Sequence, residues 1–272
     1  MSFVPQYRVV EGPGARHSAF VLHGALGSGQ NWTRFIQRLV AERPDYRYVL
    51  VDLRHHGQSS GAPPPNTVSA CAADLGALAE ARGASPRVVI GHSFGGKVAV
   101  EYARQGSPEL EQVWVLDAVV GAQPEHETGE IAAVMHAVRS VPMPALSRRD
   151  VVAHLHEQCR LSKGLSEWMT TNLRRAGDRY EWTFELEAIG ELMVDYFRLD
   201  LWGYLSEPRE RPEFELVVAE RSDRWTPELR AQARALPAHA CVRYHELPDS
   251  GHWVHIDNPG GLLQLIAPAL PR

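Results

Sequence analysis

The sequence predicts an α/β fold: a mostly parallel, doubly wound sheet interrupted by one inserted helical cap. Three observations carry this. Short apolar, β-branched runs alternate with helix-period segments through the first half of the chain. The strand-like runs are not strictly alternating, as expected of strands buried on both faces under covering helices. The rhythm stops near residue 121 and resumes near residue 208, so one long segment lies outside the sheet pattern.

The elements follow in order. Strands are predicted at residues 19–23, 48–53, 88–91 and 113–117, with helices at 32–41, 69–81 and 94–105 between them. From 121 to 207 the pattern reads as helices, at 127–139, 149–159, 166–175 and 186–204, broken by Pro, Gly and charge clusters. A strand at 214–219, a helix at 227–235, a strand at 241–247 and a helix at 260–269 complete the chain. The domain organisation is therefore a core of residues 1–120 and 208–272, with 121–207 inserted as a cap. Such a cap belongs over the carboxyl edge of the sheet, where open parallel sheets bind ligands.

Composition narrows the function classes. A chain of 272 residues, 44% hydrophobic, is long enough for one large core. The net charge of −5 and the lack of any Lys/Arg-rich stretch argue against a nucleic-acid partner. Cys71, Cys159 and Cys241 are too few and too scattered for a disulfide framework or a metal knuckle. Cys241 reads as a small buried residue of the strand at 241–247. The first twenty residues lack an uninterrupted apolar stretch, and no apolar run approaches the roughly 20 residues of a membrane span. The expectation is a soluble cytoplasmic protein, monomer or homodimer, with no membrane partner, no metal and no cofactor.

The chemistry starts at Gly91-His92-Ser93-Phe94-Gly95-Gly96, between a predicted strand and a predicted helix. The G-x-S-x-G spacing suits a turn so sharp that larger side chains would collide, and it lifts the serine hydroxyl above the sheet at a helix N-terminus. An inert serine in a tight turn is the bland alternative. A serine becomes nucleophilic only beside a base, and position selects His252 from 13 histidines, because it follows the last strand in Gly251-His252-Trp253. Ser93 is the candidate nucleophile and His252 the candidate base. His23-Gly24-Ala25-Leu26 leaves the first clear strand at the same edge. There Ala25 N–H is the favoured oxyanion donor, Leu26 the alternative, and Phe94 N–H the second donor.

Taken together, His23-Gly24, Asp52-Leu53-Arg54-His55-His56-Gly57-Gln58-Ser59, the serine elbow and Gly251-His252-Trp253 resemble the α/β-hydrolase superfamily across the whole chain. The stretches Gly27 to Trp32 and Gly95-Gly96-Lys97 resemble small bacterial esterases of the YbfF type. The resemblance implies an α/β-hydrolase fold and a Ser-His-acid triad acting on short-chain acyl esters. It also implies that another reaction could run on the same triad: a thioesterase, a C–C bond hydrolase or a related lyase. A non-catalytic ligand receptor is the alternative of another class.

Two aspartates compete for the acid. Most superfamily members take it from the later strand, which would select Asp223; the YbfF-like variant takes it from the earlier strand end, which selects Asp117. Asp117 closes an apolar strand, where an unpaired carboxylate would be costly. Asp223 lies between Arg221 and Arg224 in a polar loop. Asp117 is preferred, with Asp223 as alternative. Asp52 and Arg54 read as structural, His55-His56 and His154-x-His156 lack partners for a metal site, and Lys97 reads as a salt-bridged structural lysine.

Overall fold

The computed structural model describes residues 3–124 and 129–272. Seven strands form the main sheet: β1 (Tyr7–Glu11), β2 (His17–Leu22), β3 (Tyr46–Val51), β4 (Val88–His92), β5 (Gln112–Leu116), β8 (Glu213–Ala219) and β9 (Val242–Leu247). Their order is β1-β3-β2-β4-β5-β8-β9, all parallel except β1, which runs antiparallel to β3. β1 is the strand the sequence pattern missed. Its residues are mostly exposed at the sheet edge, so they carry no apolar run.

Alternate residues of the central strands feed two separate cores. Val113 and Val115 join the cluster containing α2 (Val68–Arg82) and α3 (Phe94–Gln105). Trp114 and Leu116 join the cluster containing α1 (Thr33–Glu42) and the last helix, Pro259–Ala269. Helices on both faces are why the central strands carry near-continuous apolar runs, such as 19–22, 48–51, 88–90 and 113–116. The chain passes from β2 outward to β3 and then returns to β4 on β2's other side. That reversal makes the β2/β4 carboxyl edge the natural ligand crevice.

The segment between β5 and β8 holds α4 (Glu130–Ser140), α5 (Arg148–Ala153), a π-helical turn (His154–Gln158), α6 (Lys163–Met169), α7 (Leu186–Arg198) and α8 (Trp202–Ser206). The first residues of the helix expected from 127 lie outside the described residues. Two departures have local causes. The helix expected at 166–175 stops at Met169, where Thr170 and Thr171 turn their hydroxyls back onto the Glu167 and Trp168 carbonyls. A hairpin of β6 (Leu173–Ala176) and β7 (Arg179–Trp182) follows. Its two-residue loop, Gly177-Asp178 with Gly177 at φ 65°, is a hairpin signal the helical pattern concealed. The helix expected at 186–204 is two helices, because Asp200 Oδ1 accepts from Trp202 N–H and starts α8. Cys241 is not in β9 but just before it, at φ 53°, its thiol donating to Arg209 O.

Lys97 departs from its expected salt bridge. It is fully buried, and its Nζ donates to Gly121 O (2.8 Å), Tyr196 O (2.6 Å) and Leu199 O (2.9 Å). Burial pulls this ammonium down to about 7. It joins α3 to both chain segments by which the insertion leaves and re-enters the core.

Candidate active site

One residue, Ser93, separates β4 from α3, and it adopts φ 52°, ψ −119°. Such backbone carries strain of order 1–3 kcal/mol and persists only where its surroundings impose it. A Cβ on Gly91 would lie 2.1 Å from Gly95 O, and one on Gly95 would lie 2.6 Å from His23 O. Those two contacts explain the glycines on either side of the serine. Ser93 N–H donates to Leu116 O at 3.0 Å, tying the elbow to the tip of β5.

Asp117 follows that tip, also at positive φ (45°), with its side chain fully buried. Three donors converge on its carboxylate: Ala219 N–H on Oδ1 (3.0 Å), and Ser222 Oγ–H (2.7 Å) and His252 Nδ1–H (2.8 Å) on Oδ2. Burial pushes the carboxyl above its ordinary range, while the Ser222 and Ala219 bonds pull it back. The bond to Asp117 puts the imidazole proton on Nδ1 and leaves the Nε2 lone pair for a substrate or nucleophile. Burial, helped by the Arg224 charge, holds His252 well below the usual histidine range. At neutral pH it is therefore an unprotonated base.

His92, the residue before the serine, was not anticipated. Its Nε2–H donates to the His252 backbone carbonyl at 2.7 Å, and the two rings lie 4.7 Å apart. It thus holds the His252 loop against the elbow. The Ser93 hydroxyl makes no hydrogen bond to any described residue. Ser93, Gly24, Ala25 and His252 are each half-buried, so the cluster remains reachable.

The turn after β2 comes close to the serine: a Cβ on Gly24 would lie 3.3 Å from Ser93 Cβ. His23 Nδ1–H donates to Gly24 O (2.8 Å) while its Nε2 accepts from Leu53 N–H (3.0 Å). His56 Nδ1–H donates to Arg54 O (2.9 Å) while its Nε2 accepts from Leu26 N–H (3.1 Å). Burial lowers His23 to about 4 and His56 to about 3, so both stay neutral and keep these donor–acceptor roles. Leu26 N–H is therefore committed. Among the described residues the Ala25 and Phe94 N–H groups have no acceptor.

Asp223 stands apart, with an 83% exposed side chain 3.1 Å from the Arg224 guanidinium and no hydrogen bond to His252. Arg54 forms a buried two-point pair with Asp74 (2.7 and 2.8 Å). Asp52 accepts from the Gly29 and Gln58 N–H groups. The other flagged histidines bond within the protein: His55 to Glu185 and Asn66, His154 to Ser140, His156 to Leu161 O. No cluster of three metal-ligating side chains occurs among the described residues.

Besides the Glu185 contact with His55, the insertion meets this edge through Trp168, Tyr196 and Asn172. Trp168 of α6 packs on Trp253 (4.7 Å between ring centres), Tyr196 of α7 on Phe94 (5.8 Å), and Asn172 Nδ2 donates to Leu26 O (2.7 Å).

A model of the alpha/beta hydrolase family matches residues 19–265. The chain belongs to the alpha/beta hydrolase family. Among its relatives in this family, the mouse (Mus musculus) sn-1-specific diacylglycerol lipase ABHD11 is 28% identical over 263 residues, spanning 96% of this chain and 83% of the lipase. Esterase YbfF of Escherichia coli K12 is 25% identical over 255 residues, 90% of each chain. A solved structure described as a marine microorganism esterase shares the hydrolase fold, with a TM-score of 0.82 at 22% identity, covering 99% of this chain and 100% of that one. Within the family frame, Ser222 and His92 escaped sequence reasoning because only the folded chain brings them to Asp117 and His252.

Proposed function

We propose that this α/β hydrolase cleaves short-chain carboxylic esters through an acyl-enzyme on Ser93, with His252 as general base and Asp117 as the acid of the triad. The observation that carries the proposal is the 2.8 Å bond from His252 Nδ1–H to the buried Asp117 carboxylate. It joins a histidine loop already hydrogen-bonded to the serine elbow. Asp223 is left out on its exposure and its pairing with Arg224.

The steps follow from the atoms in place. His252 Nε2 takes the Ser93 proton as Oγ attacks the ester carbonyl, and Asp117 stabilises the imidazolium without itself taking the proton. Negative charge forming on the carbonyl oxygen is held by the Ala25 and Phe94 N–H groups. Collapse expels the alcohol, which receives the proton from Nε2. Water, deprotonated by the same nitrogen, then cleaves the acyl-enzyme to the acid and frees Ser93. The Ser93 hydroxyl has no partner among the described residues in the free protein, and the proposed Ser93–His252 bond forms as the substrate complex forms, catalytic hydrogen bonds often being long or unmade before then. The aromatic contacts from Trp168 and Tyr196 support residues 121–207 acting as a cap that roofs the site with apolar surface. The resemblance to esterases favours short acyl chains, acting on a small substrate in the cytoplasm without metal or cofactor.

A panel of p-nitrophenyl esters of increasing chain length, with a diacylglycerol and an acyl-CoA included, tests this. Turnover should be highest on the short esters and vanish in Ser93→Ala. Inactivity across the whole panel would remove the esterase proposal.

A further inference from the structure

We propose that Asn172, supplied by the insertion, is a positioning residue for the oxyanion donor. This rests on the proposed acyl transfer at Ser93. The turn from Gly24 to Gly27 is closed by Gly27 N–H donating to Gly24 O (3.1 Å). Its third residue is Leu26, at φ 57°. Glycine or asparagine ordinarily occupies a left-handed position in such a turn, because a Cβ there is crowded. A leucine left to itself relaxes to negative φ and swings the adjoining peptides, and Ala25 N–H lies on the residue next to it.

Two side chains prevent that relaxation. His56 Nε2 holds Leu26 N–H (3.1 Å) from the core side, and Asn172 Nδ2–H holds Leu26 O (2.7 Å) from the insertion. Asn172 is itself rigid: it is buried, and its backbone carbonyl accepts from both Thr183 N–H (2.8 Å) and Thr183 Oγ–H (3.0 Å). The hairpin that follows it braces this corner of the insertion. The insertion therefore does more than cover the site; it completes the geometry that aims the donor, as preorganised donors must be aimed before charge develops. Asn172 does not touch the substrate. It acts through Leu26.

The test compares wild type, Asn172→Ala and Asn172→Asp by steady-state turnover of a short p-nitrophenyl ester from about pH 5 to about pH 8, with thermal midpoints measured alongside. Removing an oxyanion donor outright costs about 10²–10³ in kcat; loosening its turn should lower kcat about tenfold in Asn172→Ala, with KM within about twofold. Asn172→Asp should be slower still near pH 8, where an ionised carboxylate faces the Leu26 carbonyl. It should recover relative to wild type as pH falls, because a protonated carboxyl can donate again. The Ala variant's ratio to wild type should stay flat, and so would the Asp variant's if Asn172 were only a packing residue. A kcat for Asn172→Ala within about twofold of wild type, or an Asp ratio independent of pH, overturns the proposal. Absence of Ser93-dependent turnover in wild type would overturn the proposed function instead, and this inference with it.

Discussion

Replacing Asp117 by asparagine keeps the shape of the side chain and reverses one hydrogen-bonding position. Ala219 N–H faces Oδ1 and can only donate, so the amide oxygen of Asp117→Asn must stay there. The amide NH₂ then occupies the Oδ2 position, facing Ser222 Oγ and His252 Nδ1. The serine hydroxyl can rotate to accept. The imidazole can adapt only by moving its proton to Nε2, which leaves no lone pair to receive the Ser93 proton. A wrong-tautomer histidine of this kind lowers kcat by about 10⁴, equivalent to about 5.5 kcal/mol of barrier. Asp223→Asn removes one exposed partner of Arg224 and should leave kcat within about twofold, since exposed ion pairs contribute about 1 kcal/mol or less. Both variants should be assayed for kcat and KM on a short p-nitrophenyl ester at about pH 8, with thermal midpoints as the folding control. Collapse of turnover in Asp223→Asn with Asp117→Asn near wild type would refute the assignment and the reasoning from burial behind it.

Other consequences are as direct. Because burial disfavours the His252 imidazolium, the neutral base persists as pH falls, and kcat/KM should stay level through pH 6.5 and decline only well below it. A decline centred above pH 7 would contradict this. Ser222→Ala removes one of three donors to Asp117 and should cost about tenfold in kcat, a charged hydrogen bond contributing about 1.5–3 kcal/mol. Lys97→Met strips the donor from three buried carbonyls and should destabilise the fold by roughly 2–4 kcal/mol, read by denaturant unfolding. Folded Lys97 sits near 7 against an ordinary 10.5, so the folded chain binds fewer protons between those values, and wild type should gain further on Lys97→Met as pH rises through that window. Gly91→Ala places a methyl 2.1 Å from Gly95 O, a backbone atom that cannot swing aside; it should cost about 2 kcal/mol or more of stability, with loss of turnover.

The core was legible in the sequence because its central strands are buried on both faces and read as apolar runs between helical segments. The run before Ser93 and the helix after it could be read from residue type alone, and α3 spans the range its pattern implies. β1 was not legible, since an edge strand carrying Tyr7, Arg8 and Glu11 outward has no apolar signature. Within the insertion, the β6–β7 hairpin is built from Arg174, Arg175, Arg179 and Glu181, whose side chains suit an exposed ribbon and equally a helix surface. At the candidate site, Ser93 and His252 stood out as candidates because each stands in a local motif. Asp117 was visible as a carboxylate ending an apolar strand. Ser222, His92 and Asn172 were not, because each acts on a residue more than 100 positions away, or within a turn whose strain appears only in the backbone. Lys97 was misjudged because sequence shows charged neighbours but not carbonyls, and three carbonyls are what hold it.

The central claim is that the hydroxyl at position 93 is made reactive by the imidazole at 252. Incubation with a fluorophosphonate, followed by intact mass and peptide mapping, measures this without knowledge of the substrate. The expected result is one adduct per chain on Ser93, formed slowly in His252→Ala and absent in Ser93→Ala. Folded wild-type protein that takes up no label, or carries it on another residue, would contradict the account.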